Sequence, residues 1–228
     1  MIHYVMEKEI SKKSLIRYLR QAPLFKGLTE AECSILCDEL APTFEEYKRD
    51  AIIIHEGEEE TDIGIVINGS IRSEKFHMEG EIHLVDMHEQ GEIISLDNVS
   101  TESKISPVTF VAASEEAVIL AINGDRLLTC SYRNIIMRNI INILGNESIK
   151  KLYKIDVLSH AGMRDRVLTY LRIMSQKHGG GSFHIMMTQN QLANYLSVNR
   201  SALSNELNKM RREGILDFKK DKYILLNK

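Results

Sequence analysis

The chain is predicted to be an α+β protein: an N-terminal antiparallel β-roll with flanking helices, a long helix, and a C-terminal winged helix-turn-helix. Three observations predict it. Glycines recur at nearly even spacing through strand-like runs, a proline-free helical tract follows, and the last forty residues carry caps, a turn and an apolar stripe suited to two crossed helices and a hairpin.

The roll comes first. Gly57, Gly69, Gly80 and Gly91 lie 12, 11 and 11 residues apart, interspersed with the strand-like runs AIIIHEG, DIGIVINGSIRSEKF and EIHLVDMHEQGEIISL. Short strands with Gly, Asn and Glu turns at this spacing indicate an antiparallel barrel or roll. Residues 14–41 are expected to be mostly helical, broken near Pro23 and Gly27, with Cys33 and Cys37 on the same core face as Leu36 and Leu40.

Residues 124–158 form the helical tract. Its first half is apolar nearly all round, through Ile135, Ile136, Met137, Ile140, Ile141, Ile143 and Leu144. A surface helix needs only one apolar stripe, so this one is expected to pack on the roll with one side and on a second copy of the chain with the other. Ile141, Gly145, Ser148, Leu152 and Ile155 recur at spacings of 4, 3, 4 and 3, the seam of a two-stranded coiled coil. The plain alternative is that they pack on their own roll. Around Ser159-His160-Ala161-Gly162 the regularity stops, which places a hinge there. The expected domains are therefore a roll (1–123), a dimerisation helix (124–158) and a winged helix-turn-helix (159–228).

In the terminal segment, Thr188 with Gln191 three residues on reads as a capping box, and Leu192, Ala193 and Leu196 mark the inner face of a short helix. Ser197-Val198-Asn199 is the turn, and Asn199 caps a second helix starting at Arg200. At about 100° per residue, Leu203, Leu207 and Met210 share one stripe, while Arg200, Ser201, Ser204, Asn205, Asn208, Arg211 and Arg212 share the opposite arc with no acid among them. Such a face can enter a major groove. An ordinary solvated helix could look similar, but small Ala193 at the crossing, the three-residue turn and the hairpin over residues 215–226 argue for the DNA-binding motif. The hairpin tip Lys219-Lys220-Asp221-Lys222 is basic and suits a phosphate contact.

Charge supports this separately. From residue 161 onward there are 12 Lys plus Arg against 5 Asp plus Glu, whereas the first 160 residues carry 17 against 27; the net charge of −3 conceals the split. A basic module on an acidic body fits duplex binding by the module alone. No apolar run approaches the ~20 residues of a membrane span and the start lacks an export segment, so a cytoplasmic protein is expected, with no membrane partner and its three cysteines reduced.

Taken together, Phe25-Lys26-Gly27-Leu28, Glu56-Gly57, Gly69-Ser70-Ile71, Glu79-Gly80, Gly91-Glu92, the long helix and QLANYLSVNRSALSNELNKMRREGIL resemble the cyclic-AMP receptor protein and fumarate-nitrate regulator (CRP/FNR) superfamily of bacterial transcription factors. The resemblance covers almost the whole chain. It implies a jelly-roll-like sensor of the cyclic-nucleotide-binding type, a homodimer, double-stranded DNA with a palindromic operator as partner, and RNA polymerase as a further candidate partner. It implies that Arg200, Ser201 and Asn205 read bases, that Ser204 and Asn208 touch phosphate or base edges nearby, and that Thr188, Gln189 and Lys220 join the DNA contact. Ser197 stands where a turn glycine is common.

The sequence also departs from the family. Members that bind cyclic nucleotides have a Gly-Glu pair for the ribose and an Arg-Ser pair for the cyclic phosphate. Here those places fall on Ser95-Leu96 and Pro107-Val108, and no arginine lies between Arg72 and Arg126. A phosphate anion in a partly buried site needs a charge-assisted partner, and only Lys104 is near. Cyclic AMP and cyclic GMP are therefore not expected; the effector region is placed at Ile94, Ser95, Leu96, Lys104, Pro107 and Val108, with an unidentified small molecule or none. An iron-sulfur cluster needs four cysteines where this chain has three, and His55, His77, His83 and His88 are more economically surface or core residues than haem ligands, so no cofactor and no metal are expected. No catalytic arrangement stands out, and the expectation is a transcription regulator, not an enzyme. The alternative is a sensor for a nucleotide-like or other small ligand whose C-terminal domain mainly binds protein.

Overall fold

The computed structural model describes residues 11–76, 82–185 and 187–226. Helix α1 (Lys12–Gln21) is capped by Ser11 and ends before Pro23, which opens a single 3-10 turn (Pro23–Phe25). Helix α2 (Glu30–Leu40) opens on a capping box: Thr29 Oγ1 accepts from the Glu32 N–H at 3.3 Å, and the Glu32 carboxylate accepts from the Thr29 N–H at 2.7 Å. Its buried stripe is Cys33, Leu36, Cys37 and Leu40, as expected.

The roll holds strands β1 (Thr43–Lys48), β2 (Ile52–Ile54), β3 (Asp62–Asn68), β4 (Ile71–Phe76), β5 (Ile82–His88) and β6 (Ile93–Ile94), a short helix α3 (Leu96–Val99), then β7 (Thr109–Ala112) and β8 (Glu116–Asn123). Two four-stranded antiparallel sheets result, ordered β1-β8-β3-β6 and β2-β7-β4-β5. Side-chain alternation along a strand lets the first sheet serve two cores. Ile63, Ile65 and Ile67 join the helix-side core with Leu24, Phe25 and Leu36, while Val66 joins the inter-sheet core with Tyr47, Ile71, Phe110 and Ile119. At Gly64 a Cβ would lie 2.7 Å from Ile94 and 2.8 Å from Ile119, so the close apolar packing there requires glycine. Gly57, Gly69 and Gly91 take positive φ of 87°, 75° and 89°; Glu79 and Gly80 lie outside the described residues. On the β4–β5 hairpin, the pairings Arg72↔Met87, Glu74↔Leu84 and Phe76↔Ile82 leave Phe76, Ile82, Leu84 and Met87 exposed on one face.

The expected single helical tract is interrupted. Helix α4 (Gly124–Thr129) stops at Cys130, which is extended at φ −67° and ψ 162°, and α5 (Arg133–Ser159) begins afresh. The cause is a contact 92 residues away: the Ser131 N–H donates to the Glu39 carboxylate at 2.8 Å and its hydroxyl donates to the same group. Those bonds hold the Glu39 carboxyl below the usual carboxylate range. In the first half of α5, Ile136 and Ile140 are buried, with Ile135, Met137, Ile143 and Leu144 packed around them.

The chain divides into two compact units between Leu144 and Gly145, with α5 running through the division. The second unit adds α6 (Met163–Lys177), β9 (Ser182–His184), α7 (Gln189–Tyr195), α8 (Arg200–Arg212), β10 (Leu216–Lys219) and β11 (Lys222–Leu225). Its sheet is β10-β11-β9, and its core includes Val167, Leu171, Phe183, Leu192, Leu203, Leu207 and Tyr223. The sequence reading lacked both α6 and β9. The signal for α6 was present, since Val167, Tyr170 and Leu171 follow helical spacing.

Candidate nucleic-acid interface

The capping box at Thr188 forms: its Oγ1 accepts from the Gln191 N–H at 3.2 Å, and Gln191 Oε1 accepts from the Thr188 N–H at 2.8 Å. Helix α7 ends in crossed hydrogen bonds around a left-handed residue. Ser197 has φ 53°, its N–H donates to the Asn194 carbonyl at 3.0 Å, and the Val198 N–H donates to the Ala193 carbonyl at 3.0 Å. Helix α8 ends the same way at Gly214 (φ 72°), with Gly214 N–H to the Arg211 carbonyl at 3.1 Å and Ile215 N–H to the Met210 carbonyl at 3.0 Å.

Left-handed backbone is unfavourable for serine. Ser197→Gly is expected to raise stability by about 1 kcal/mol, because glycine adopts this conformation without the Cβ clash. A denaturant midpoint that stays put or falls would show that the serine relieves the strain through contacts of its own.

Between these ends, Leu203, Leu207 and Met210 are fully buried while Arg200, Ser201, Asn205, Asn208, Lys209, Arg211 and Arg212 are exposed; Ser204 is half-buried. The exposed groups differ in availability. Asn199 Oδ1 accepts from both the N–H (2.9 Å) and the hydroxyl (2.6 Å) of Ser201, and the Asn208 amide donates to the Ser204 carbonyl at 2.9 Å. Arg211 pairs with Asp217 at 2.7 Å. The side chains of Arg200 and Asn205 make no hydrogen bond or ion pair among the described residues. The one acid on α8, Glu206, is turned to Arg164 of α6, whose guanidinium also pairs with Glu213 and keeps that carboxyl below its ordinary range. Thr188 is exposed and Gln189 half-buried at the start of α7. The β10–β11 turn is Lys220-Asp221, with Lys219 paired across to Lys222 and all three lysines exposed; Asp221 is bonded to His184 of β9 at 2.9 Å.

The six effector candidates are divided between two cores and the surface. Ile94 is buried in the inter-sheet core, Leu96 in the helix-side core. Between them Ser95 is left-handed (φ 62°) with its buried hydroxyl unpartnered among the described residues. The Lys104 ammonium is held by Asp125 at 2.9 and 3.1 Å, Pro107 is exposed and Val108 half-buried. A groove of about 750 Å³ lies elsewhere, lined by Arg17, Tyr18, Phe44, Glu46, Asn68 and Gln90 among others. Sequence alone could not have located it, since its walls come from α1 and from strands distant in the chain. Of the roll histidines, His55 is exposed and His88 packs on Phe110 near Ser73; His77 and the side chain of His83 lie outside the described residues.

Along α5, Ile141, Leu152 and Ile155 are each 65% exposed, and Gly145 and Ser148 are exposed with them. The opposite side of the helix is engaged: Val157 is buried in the second core, and Lys154 lies over the Tyr195 ring at 5.6 Å.

The roll and the winged helix-turn-helix with its donor face define a two-domain DNA-binding regulator. Residues 165–228 match the model of the Crp-like helix-turn-helix domain, and residues 44–134 match that of the cyclic nucleotide-binding domain. The chain belongs to the CRP/FNR superfamily and is a DNA-binding transcription regulator of that type. It is 24% identical over 186 residues to the anaerobic regulatory protein of Aggregatibacter actinomycetemcomitans, covering 79% of this chain and 71% of that protein. It is also 24% identical over 187 residues to regulatory protein HlyX of Actinobacillus pleuropneumoniae, covering 79% and 76%. The fold is shared with the structure of FixK2 from Bradyrhizobium japonicum, at a TM-score of 0.52 and 19% identity over 82% of this chain and 93% of that one. Among the described residues no helix is long and apolar enough to cross a membrane.

Proposed function

We propose that the regulator acts in the cytoplasm as a homodimer on a two-fold symmetric operator, paired through the exposed seam of α5, with its affinity set by the roll. The observation that carries this is the pairing of two exposed surfaces of opposite character: an apolar stripe on α5 and a donor face on α8. Residues 1–123 sense, 124–158 pair the protomers and 159–228 bind DNA; RNA polymerase is a further partner. Arg200 and Asn205 are the base readers, whereas Ser201, held by Asn199, positions the helix start. Ser204, Asn208, Thr188, Gln189 and Lys220 supply surrounding contacts. A salt-dependent shift of duplex DNA by the purified protein tests it, since phosphate neutralisation releases counterions; binding indifferent to salt would favour a protein-interaction role for the C-terminal domain.

The effector is proposed to be a small molecule other than a cyclic nucleotide. The family match concerns the fold of the roll, while the phosphate-binding charge is missing. Arg72 is engaged by Glu74, Asp50 and the Ala112 carbonyl, and Lys104 by Asp125. Calorimetric titration with cyclic AMP or cyclic GMP is expected to give no binding tighter than about 1 mM. Micromolar affinity for either would mean that Lys104 exchanges Asp125 for the phosphate, and would restore the cyclic nucleotide as effector.

A further inference from the structure

Arg166, in the first turn of α6, grips two backbone segments far apart in sequence. Its Nε–H donates to the His160 carbonyl at 2.7 Å, and its Nη1 donates to the carbonyls of Leu196 at 3.2 Å and Ser197 at 3.4 Å. His160 is the first residue past α5; Leu196 and Ser197 close α7 and lead into α8. Carbonyls at a helix end lack intrahelical partners and carry the negative pole, so a cation there is favoured. A planar fork presents separate nitrogens to the two directions at once, whereas the three donors of an ammonium radiate from a single atom.

Other contacts hold the end of α5 against α6 and α7. Val157 is fully buried in the core of the second unit, Lys154 lies over Tyr195 at the end of α7, and Lys177 of α6 lies over Tyr153 at 4.2 Å. Two residues before Arg166, Arg164 pairs with Glu206 of α8 and with Glu213 just past its end. The start of α6 thus secures the recognition helix both at the turn that precedes it and along its inner side.

We propose that Arg166 is a positioning residue that sets the angle of the recognition helix against α5, so that half-site spacing is read as a rigid dimension of the dimer. It rests on the homodimer proposed above. Arg166 itself need touch no DNA. Its guanidinium locks the end of the pairing helix to the helix-turn-helix turn across residues 160–162, which separate α5 from α6.

The test is Arg166→Lys in the full-length protein, which keeps the charge and removes the fork. Hydrogen exchange is measured alongside binding to three duplexes: one selected by the wild type from a random pool, the same with one base pair inserted between half-sites, and a random one. Protection is expected to fall about tenfold jointly in residues 153–161 and 196–199, the scale of one charge-assisted hydrogen bond, while residues 203–210 keep theirs. Affinity for the selected duplex falls by a similar factor, the penalty for the insertion shrinks, and random-duplex affinity is unchanged. Exchange that does not change, or that rises evenly through the domain core, overturns the proposal. A wild type indifferent to the inserted base pair would remove the homodimer instead, and the exchange pattern would still decide the role of Arg166.

Discussion

Leu152→Glu is expected to sediment as a monomer and to lose binding to paired half-sites about one helical turn apart. Leu152 is 65% exposed in the protomer and belongs to none of the three cores, so the substitution leaves the fold intact and acts only where a second copy meets it. Burying a leucine stabilises an interface by roughly 1.5–3 kcal/mol, and two carboxylates brought together across the two-fold axis repel in addition. Because both protomers carry the change, the loss is doubled. Pairing makes the second half-site contact intramolecular, and its removal is expected to weaken operator binding by about 10²–10⁴-fold. A Leu152→Glu protein that stays dimeric and binds normally would place the interface elsewhere, with the exposed apolar face of the β4–β5 hairpin the next surface to examine.

Arg200→Ala is expected to cost roughly 1–3 kcal/mol on the selected duplex and to relax preference at one guanine in each half-site. The side chain is exposed at the first position of α8 and is committed to no other group among the described residues, so its five donors are available for the O6 and N7 acceptors of guanine. Lys220→Ala at the wing tip provides the contrast. A contact to phosphate carries no sequence information, so that change should weaken all duplexes nearly equally and lower the salt slope by about one. Competition binding with selected and random duplexes separates the two. Equal losses on both for Arg200→Ala would reduce Arg200 to a phosphate contact.

The helix-turn-helix was legible in the sequence because its caps and its turn are local. Thr188 and Gln191 cap each other three residues apart, Asn199 caps the next helix, and even the left-handed Ser197 could be inferred from its place in the turn. The roll was legible as a class from glycine spacing, but strand partners were not, since β1 pairs with β8 across most of the domain. The break between α4 and α5 depends on Glu39 reaching Ser131, and no periodicity within the tract announces it. The surroundings of the effector candidates were not legible either. Ile94, Ser95 and Leu96 are neighbours in the chain, yet the left-handed turn at Ser95 that ends β6 and starts α3 sends Ile94 into the inter-sheet core and Leu96 into the helix-side core, and Asp125 pairs with Lys104. The apolar spacing of α6 is present in the sequence at Val167, Tyr170 and Leu171, but Gly162 at its start offers no side-chain cap to mark where it begins.

Helix α8 starts at a side-chain cap and stops at a left-handed glycine, and its inner face is held by Leu203, Leu207 and Met210. None of these groups lies on the exposed arc. The instructions for building the helix and the letters it presents to DNA are therefore written in different residues. Divergence in operator preference can proceed by exchange at Arg200 and Asn205 with little effect on folding, while insertions or deletions within the helix would rotate the inner stripe out of the core. Descendants of this chain can change what they recognise one residue at a time, and they can do so without passing through an unstable protein.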